Sequence, residues 1–105
     1  MKYRVMYQIS NVVREKYRYL FEEREISIHE LNETHKLVAT IDAANLNEVF
    51  RIMNSYEENP LSIENGEHGQ EIAREVGHTS MSINDVVIGE DNVAYRIAMF
   101  GFDPL

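Results

Sequence analysis

The chain has 105 residues, of which 44% are hydrophobic and 10% aromatic, and it contains no cysteine. This length suits a single domain, residues 1–105, with one hydrophobic core. The absence of cysteine excludes disulfides, thiolate catalysis and cysteine-ligated metals, and it favours a cytoplasmic location. No segment approaches the ~20 consecutive apolar residues that a membrane-spanning helix needs. The alternating N-terminal residues are not typical of a secretory signal.

Charge is distributed unevenly along the chain, whose formal net charge is −8. Residues 1–24 hold six bases and three acids, whereas residues 25–105 hold four bases and fifteen acids. So acidic a chain repels phosphate backbones, and we expect no direct binding of nucleic acid. The segment Tyr17-Arg18-Tyr19 could stack on nucleotides, but core and interface packing is the commoner use of tyrosine. Two interpretations stay open: the acidic excess keeps the chain soluble, or an acidic face docks on a basic protein surface.

Alternating apolar side chains predict a first strand over residues 2–9, with one face formed by Tyr3, Val5, Tyr7 and Ile9. Residues 11–25 fit two patterns. The helical spacing is carried by Val13, Tyr17, Leu20 and Phe21, and the alternation of a strand by Tyr17, Tyr19 and Phe21. The arginines and glutamates between them suit the exposed face of a helix, so we favour the helix.

A turn or short helix around Leu31 precedes a predicted strand over residues 35–41, which places Leu37, Ala39 and Ile41 on one face. The clearest helix follows. Asn45 is typical of an N-cap because Glu48 stands three residues later, as in a capping box. The apolar stripe of this helix is formed by Leu46, Val49, Phe50 and Met53, and we expect the helix to end near Asn54.

Residues 55–76 contain Asn-Pro and Asn-Gly pairs and several glutamates. They predict a loop-rich insertion that is mainly loop up to Gly69. Residues 70–76 would add a helical turn that Gly77 stops.

Residues 82–85 predict a single turn that leads into a strand over residues 86–88. Turn-forming residues at 89–92 then connect it to a return strand over residues 93–100. The chain therefore predicts an α+β fold, a small antiparallel sheet of about four strands with one or two helices packed on one face. We expect the helix stripe to pack on a sheet face formed by Tyr3, Val5, Tyr7, Val93, Tyr95 and Ile97.

The four histidines do not have the spacing of a metal site. They are His29, His35, His68 and His78, and no pair has the i, i+4 separation that places two ligands on one helix face. No Gly-x-Ser-x-Gly nucleophile elbow and no phosphate loop occurs. We therefore expect no metal, no cofactor and no catalytic residue. His78 stands before the C-terminal hairpin, and we expect its imidazole to fix the turn by hydrogen bonding to a backbone group.

The C-terminal third resembles the YodL-like domain family. The residues that carry the resemblance are Gly77-His78-Thr79-Ser80-Met81-Ser82-Ile83-Asn84-Asp85-Val86-Val87, then Ala94-Tyr95-Arg96-Ile97 and Phe100-Gly101-Phe102. Met81 and Asn84 depart from the commonest family residues. Tyr7-Gln8-Ile9 and the segment from Asn47 to Asn54 are similar to the opening strand and the helix of the family, but only residues 77–102 are specific.

The resemblance implies a domain of bacterial mobile elements and phages, with a role in overcoming host defence and no catalytic mechanism. It implies that His78 and Ser82 hold the turn and that Val86 and Val87 enter the sheet. It also implies that Gly101 allows tight backbone packing between Phe100 and Phe102. His78 and Asp85 are the candidate binding residues.

The leading hypothesis is a small acidic protein of the cytoplasm, not an enzyme, that binds a protein partner. An acidic chain of this kind could occupy the basic surface of a host nucleic-acid-binding protein. Two alternatives stay open. One is a metal- or histidine-dependent accessory enzyme, and the other is a structural or regulatory subunit whose Met99 and Phe100 complete a homodimer interface.

Overall fold

The computed structural model describes residues 1–17, 20 and 22–105, and its strands form one antiparallel sheet. The strands are β1 (Lys2–Gln8), β2 (His35–Asp42), β3 (Val86–Ile88), β4 (Ala94–Ala98) and β5 (Gly101–Pro104), in the order β2-β1-β3-β4-β5. The helices are α1 (Ser10–Lys16), α2 (Leu31–Thr34), α3 (Leu46–Met53) and α4 (Glu67–Val76), and a 3-10 turn covers Ile63–Asn65. The predicted α+β class is confirmed, with five strands in place of about four. The described residues form four helices in place of one or two, and they do not all pack on one face, because Leu31 of α2 packs with Val86 and Ile88.

The main core lies on the face of the sheet that α3 and α4 cover. Its buried cluster includes Tyr3, Val5 and Tyr7 of β1, Val87 of β3, Val49 and Met53 of α3, and Val76 of α4. Because neighbouring strand residues point to opposite faces, Val86 and Ile88 belong to a second, smaller cluster with Leu31 of α2. β3 is therefore buried on both faces, whereas Lys2 and Arg4 leave the second face of β1 partly exposed. β2 and β5 form the edges of the sheet.

The start of α3 is as predicted. The Asn45 side chain accepts a hydrogen bond from the Glu48 backbone N–H at 2.9 Å, and Asn45 itself has an extended backbone. The Glu48 carboxylate in turn accepts from the Ala44 N–H at 3.3 Å. The predicted stripe is only partly buried, because Val49 and Met53 lie in the core while Phe50 stays exposed.

A bulge changes which side of β2 is buried. Val5 pairs with Ala39 and Met6 with Leu37, so Val38 is the extra residue between them. The extra residue reverses the alternation of side chains beyond it. Val38 and Ile41 are consequently buried and Leu37 is 49% exposed. The prediction that Leu37, Ala39 and Ile41 share one face was therefore wrong.

The helix predicted over residues 11–25 is shorter than expected. α1 ends at Lys16, and Tyr17 already has an extended backbone with φ −131° and ψ 141°. Val13 is buried within α1, and Leu20 is buried outside any helix. Arg18, Tyr19 and Phe21 lie outside the described residues, and so does that part of the helix-or-strand alternative.

Residues 55–66 are loop apart from the 3-10 turn at Ile63–Asn65, as predicted, whereas α4 begins at Glu67, three residues earlier than the predicted helical turn. Leu61 and Val76 from this segment are buried in the main core. The predicted stop at Gly77 is confirmed: this residue has a φ of 90°, in the left-handed region, and its N–H donates to the Ala73 carbonyl at 2.8 Å.

The turn at residues 89–92 is as predicted, but the return strand is shorter than expected. β4 begins at Ala94 and ends at Ala98, and Met99 and Phe100 reverse the chain into the unpredicted β5. Val93 is consequently exposed instead of buried. Gly101 has a φ of 105° and no neighbouring atom within 4 Å of an added Cβ. The expected tight packing at Gly101 was therefore wrong, and the glycine serves the turn through its conformation.

Asn45→Ala should lower the free energy of unfolding by about 1 kcal/mol, because it leaves the Glu48 N–H without its capping acceptor. Asn47→Ala is the matched control, since Asn47 is exposed in the first turn of the same helix. Denaturant titration of both variants measures the difference. Equal stabilities for the two variants would contradict the cap.

Candidate functional site

The Asp85 carboxylate is fully buried at the point where the chain enters β3. Its Oδ1 accepts a hydrogen bond from the Gln8 backbone N–H at 2.9 Å, and its Oδ2 accepts from the Ser82 N–H at 2.8 Å. The turn is closed by the Asp85 N–H, which donates to the Ser82 carbonyl at 3.0 Å. Burial raises the pKa of the Asp85 carboxyl, and hydrogen bonds from His78, Gln8 and Ser82 oppose that rise.

His78 pairs with this carboxylate. Its Nε2 lies 3.2 Å from Asp85 Oδ2 and 3.3 Å from Oδ1, and its side chain is only 11% exposed. Because both neighbours of Nε2 are carboxylate oxygens, we assign the hydrogen to Nε2. The expectation that the imidazole bonds a backbone group was therefore wrong, since its partner is a side-chain carboxylate.

The Tyr7 ring stacks on the His78 imidazole. The two rings stack with centroids 4.6 Å apart and planes 14° from parallel. The Tyr7 hydroxyl donates to the Thr79 carbonyl at 2.8 Å, so Tyr7 contacts two consecutive residues of the loop. Burial and the nearby Asp85 charge raise the pKa of the Tyr7 phenol, which stays a hydrogen-bond donor.

Asn84 connects the same turn to Leu20, Glu22 and Arg24. It has a left-handed φ of 74°, which asparagine tolerates better than most residues. Its buried side-chain amide donates to the Glu22 carbonyl at 2.7 Å and to the Leu20 carbonyl at 3.3 Å. The Gln8 side chain adds a second link, because it donates to the Ile83 carbonyl at 3.2 Å and accepts from Arg24 at 2.5 Å.

His35 completes the network from β2. Its Nε2 lies 2.8 Å from the Asn84 carbonyl, which can only accept, so Nε2 carries the hydrogen. Nδ1 lies 2.8 Å from the Thr34 hydroxyl. Burial lowers the pKa of His35 to about 4, which keeps the ring neutral at pH 7.

Sequence reasoning selected His78 and Asp85, and the structure brings these two residues into contact. It missed Tyr7, Gln8, His35 and Asn84, for which the sequence carries no distinguishing local signal. Asp85 has no exposed area and His78 has little, so the pair offers almost no surface to a partner. The arrangement stabilises the loop of residues 77–85.

Neither a metal site nor a membrane span is found in the described part of the chain. Among residues 1–17, 20 and 22–105, no three His, Asp or Glu side chains converge in a way that could hold a metal ion. Within the same residues, no helix is long and apolar enough to cross a bilayer.

An apolar groove lies beside the same loop. It has a volume of about 400 Å³ and is lined by Phe50, Met81, Ser82, Ile83, Ile97, Ala98 and Met99. We call it the turn groove, because the turn between β4 and β5 forms one end of it. Unlike the His78–Asp85 pair, it is open to solvent.

No family model matches this chain, and no curated protein or solved structure is detectably similar to it. The resemblance to the YodL-like domain family stays a prediction.

His78→Ala should lower the free energy of unfolding by about 2 kcal/mol, because it removes a hydrogen bond to a buried carboxylate. His68→Ala, at an exposed position of α4, is the matched control and should change stability little. Thermal and denaturant unfolding of both variants measure the effect. A fully stable His78→Ala variant would show that the pair does not support the loop.

His35 should make the protein less stable in acid. The pKa of His35 falls from 6.5 to about 4 on folding, so the unfolded chain binds this proton first as the pH drops. The contribution of the neutral His35 ring to the free energy of unfolding is fully present above about pH 6.5. It falls by roughly 3 kcal/mol as the pH drops towards 4.

His35→Gln removes this titration and leaves the other groups in place. Denaturant unfolding of both proteins between pH 7 and about pH 4 should therefore show the difference in stability narrowing as the pH falls. Titration of Asp85 changes the stability of both proteins alike, so it cancels in the difference between their free energies of unfolding. Parallel pH profiles would contradict the neutral, buried state of His35.

Proposed function

We propose that this chain is not an enzyme and acts by binding a protein partner that presents a basic surface. The observation that carries the proposal is the exposure of two large apolar side chains at the turn between β4 and β5. Phe100 is 93% exposed and Met99 is 61% exposed. Large exposed apolar side chains that cluster on a surface are typical of protein interaction sites.

These side chains lie next to further apolar surface. Met99 is also part of the turn groove, which runs from the turn towards Phe50 of α3. The exposed Phe50 ring contacts Phe102 of β5 edge to face, with centroids 6.5 Å apart. An aromatic or aliphatic side chain of a partner could fill this groove as a central anchor.

Charge supports a basic partner. Residues 25–105 carry fifteen acids and four bases, and the Glu23 carboxylate accepts a hydrogen bond from the Met99 N–H at the turn itself. Opposite charges at longer range speed association and select against acidic partners. An apolar anchor beside Glu23, on a chain with this acidic excess, therefore fits a basic protein surface better than a neutral one.

The biological setting is part of the proposal. The sequence resemblance to the YodL-like domain family favours a phage or a bacterial mobile element, and basic surfaces are typical of host proteins that bind nucleic acid. By occupying such a surface in the cytoplasm, an acidic protein would compete with nucleic acid and counter host defence.

Phe100→Ser should weaken capture of the partner by about tenfold or more, because it removes the more exposed of the two apolar side chains at the β4–β5 turn. The protein is immobilised, host lysate is passed over it, and captured proteins are identified by mass spectrometry. Leu37→Ser is the matched control, since Leu37 is also exposed but lies on β2, at the opposite edge of the sheet from β5. The proposal requires a basic partner that Phe100→Ser loses and Leu37→Ser retains.

Capture should also fall as salt is raised, because salt screens the attraction between acidic and basic surfaces. A partner that is retained equally by both variants at all salt concentrations would contradict the proposal, and so would the absence of any partner.

A homodimer is the second candidate, and one specific observation favours it. β5 is an edge strand directly after Phe100, so two copies could pair through the same turn and edge. Sedimentation at several concentrations separates the possibilities. A mass of twice 12.3 kDa that Phe100→Ser returns to one copy would favour the dimer over the partner complex.

A further inference from the structure

We infer that a second concavity, lined in part by α4, binds a small organic carboxylate with an apolar body. This pocket has a volume of about 490 Å³ and lies between residues 54–63, α4 and residues 79–80. It shares no lining residue with the turn groove, so the inference stands apart from the proposed protein-binding surface. A volume of this size is in the range of small-molecule sites.

The pocket is held in shape by close packing. Gly69 of α4 lies so near the preceding loop that an added Cβ would stand 2.0 Å from the Pro60 carbonyl oxygen. The backbone of α4 therefore rests directly on that loop. A site whose wall is fixed in this way does not need to be ordered when a ligand binds, which favours affinity.

The buried Asn59 side chain fixes the other wall. It donates to the Met53 carbonyl at 2.6 Å and to the Thr79 carbonyl at 2.9 Å, and it accepts from the Leu61 N–H at 2.8 Å. Asn65 then donates to the Asn59 carbonyl at 2.7 Å. These bonds join the end of α3, the loop before α4 and residue 79, which together surround the pocket.

The lining predicts the chemistry of the ligand. Leu61 and Ala73 form an apolar floor, and exposed Tyr56 and Ile63 form an apolar rim. Such a surface fits a ring or a branched chain, and Tyr56 can contact an aromatic ring.

The charge of the pocket differs from that of the rest of the chain. Although the chain has eighteen acids, none of those that the structure describes lines this pocket, and Arg74 is the one charged residue among its described lining. The neighbouring Glu75 forms an ion pair with Lys36 instead, with 3.2 Å between Glu75 Oε2 and Lys36 Nζ. Within the described residues, the Arg74 guanidinium has no hydrogen-bond or ion-pair partner. A guanidinium binds a carboxylate through two parallel hydrogen bonds, which explains the preference for that anion.

Binding is tested with three probes of similar shape and different charge: indole-3-acetate, indole-3-acetamide and tryptamine. Backbone amide chemical shifts in two-dimensional NMR spectra follow each titration. Indole-3-acetate should give saturable shifts at Leu61, Ala73 and Ser80, and the neutral and cationic probes should bind about tenfold more weakly or not at all.

Arg74→Gln should remove the preference for the anionic probe, whereas Arg14→Gln, on the exposed face of α1, should keep it. Arg74 is itself exposed, so the variant is expected to fold, and its spectrum verifies this directly. Phe100→Ser should leave probe binding unchanged. Equal binding of the three probes, shifts confined to the β4–β5 turn, or an undiminished preference in Arg74→Gln would each overturn the inference.

Discussion

The burial of one carboxylate is the constraint on which the centre of this fold depends. A carboxylate without partners in a protein interior is strongly unfavourable, so Asp85 requires donors that are already in position. It obtains them from Gln8 at the end of β1, from Ser82 in its own turn and from His78. These bonds continue the contact between β1 and β3 beyond the last paired residues, Met6 and Val86. The turn before β3, and with it the start of the C-terminal hairpin, is thereby fixed to the first strand.

Elements with local signals could be predicted from the sequence, and elements defined by distant contacts could not. β1, the cap of α3 at Asn45 and the turn at residues 89–92 each follow from a few neighbouring residues. The start of α4 does not, because Gly69 weakens a helix by about 1 kcal/mol and suggests a loop. In the folded chain the same glycine allows α4 to approach Pro60, a contact that the sequence does not reveal. β5 was missed because Met99 and Phe100 continue the alternation of β4 through the residues that reverse the chain.

Only part of the candidate site could be predicted, because its residues also come together through distant contacts. His78 and Asp85 are separated by seven positions. Their residue types indicated a candidate site, but the sequence did not indicate that the two side chains bond to each other. Gln8 and His35 enter the network from strands far away in sequence, and polar residues are usually exposed. Each buried side chain has a hydrogen-bond partner in the turn of residues 82–85: Gln8 donates to the Ile83 carbonyl and His35 to the Asn84 carbonyl. A network assembled by tertiary contact has no pattern along the chain.

The buried hydrogen-bond network around Asp85 and the turn groove share residues, so the network helps to shape the groove. Ser82 donates its N–H to the Asp85 carboxylate, and Ser82 and Ile83 also line the turn groove. The Asn84 N–H donates to the Ile97 carbonyl at 2.8 Å, and Ile97 also lines the turn groove. The buried polar contacts therefore fix the positions of residues that line the apolar groove. Phe100, which is almost fully exposed, adds little to this framework, and in the function proposed above its large side chain serves contact with a partner.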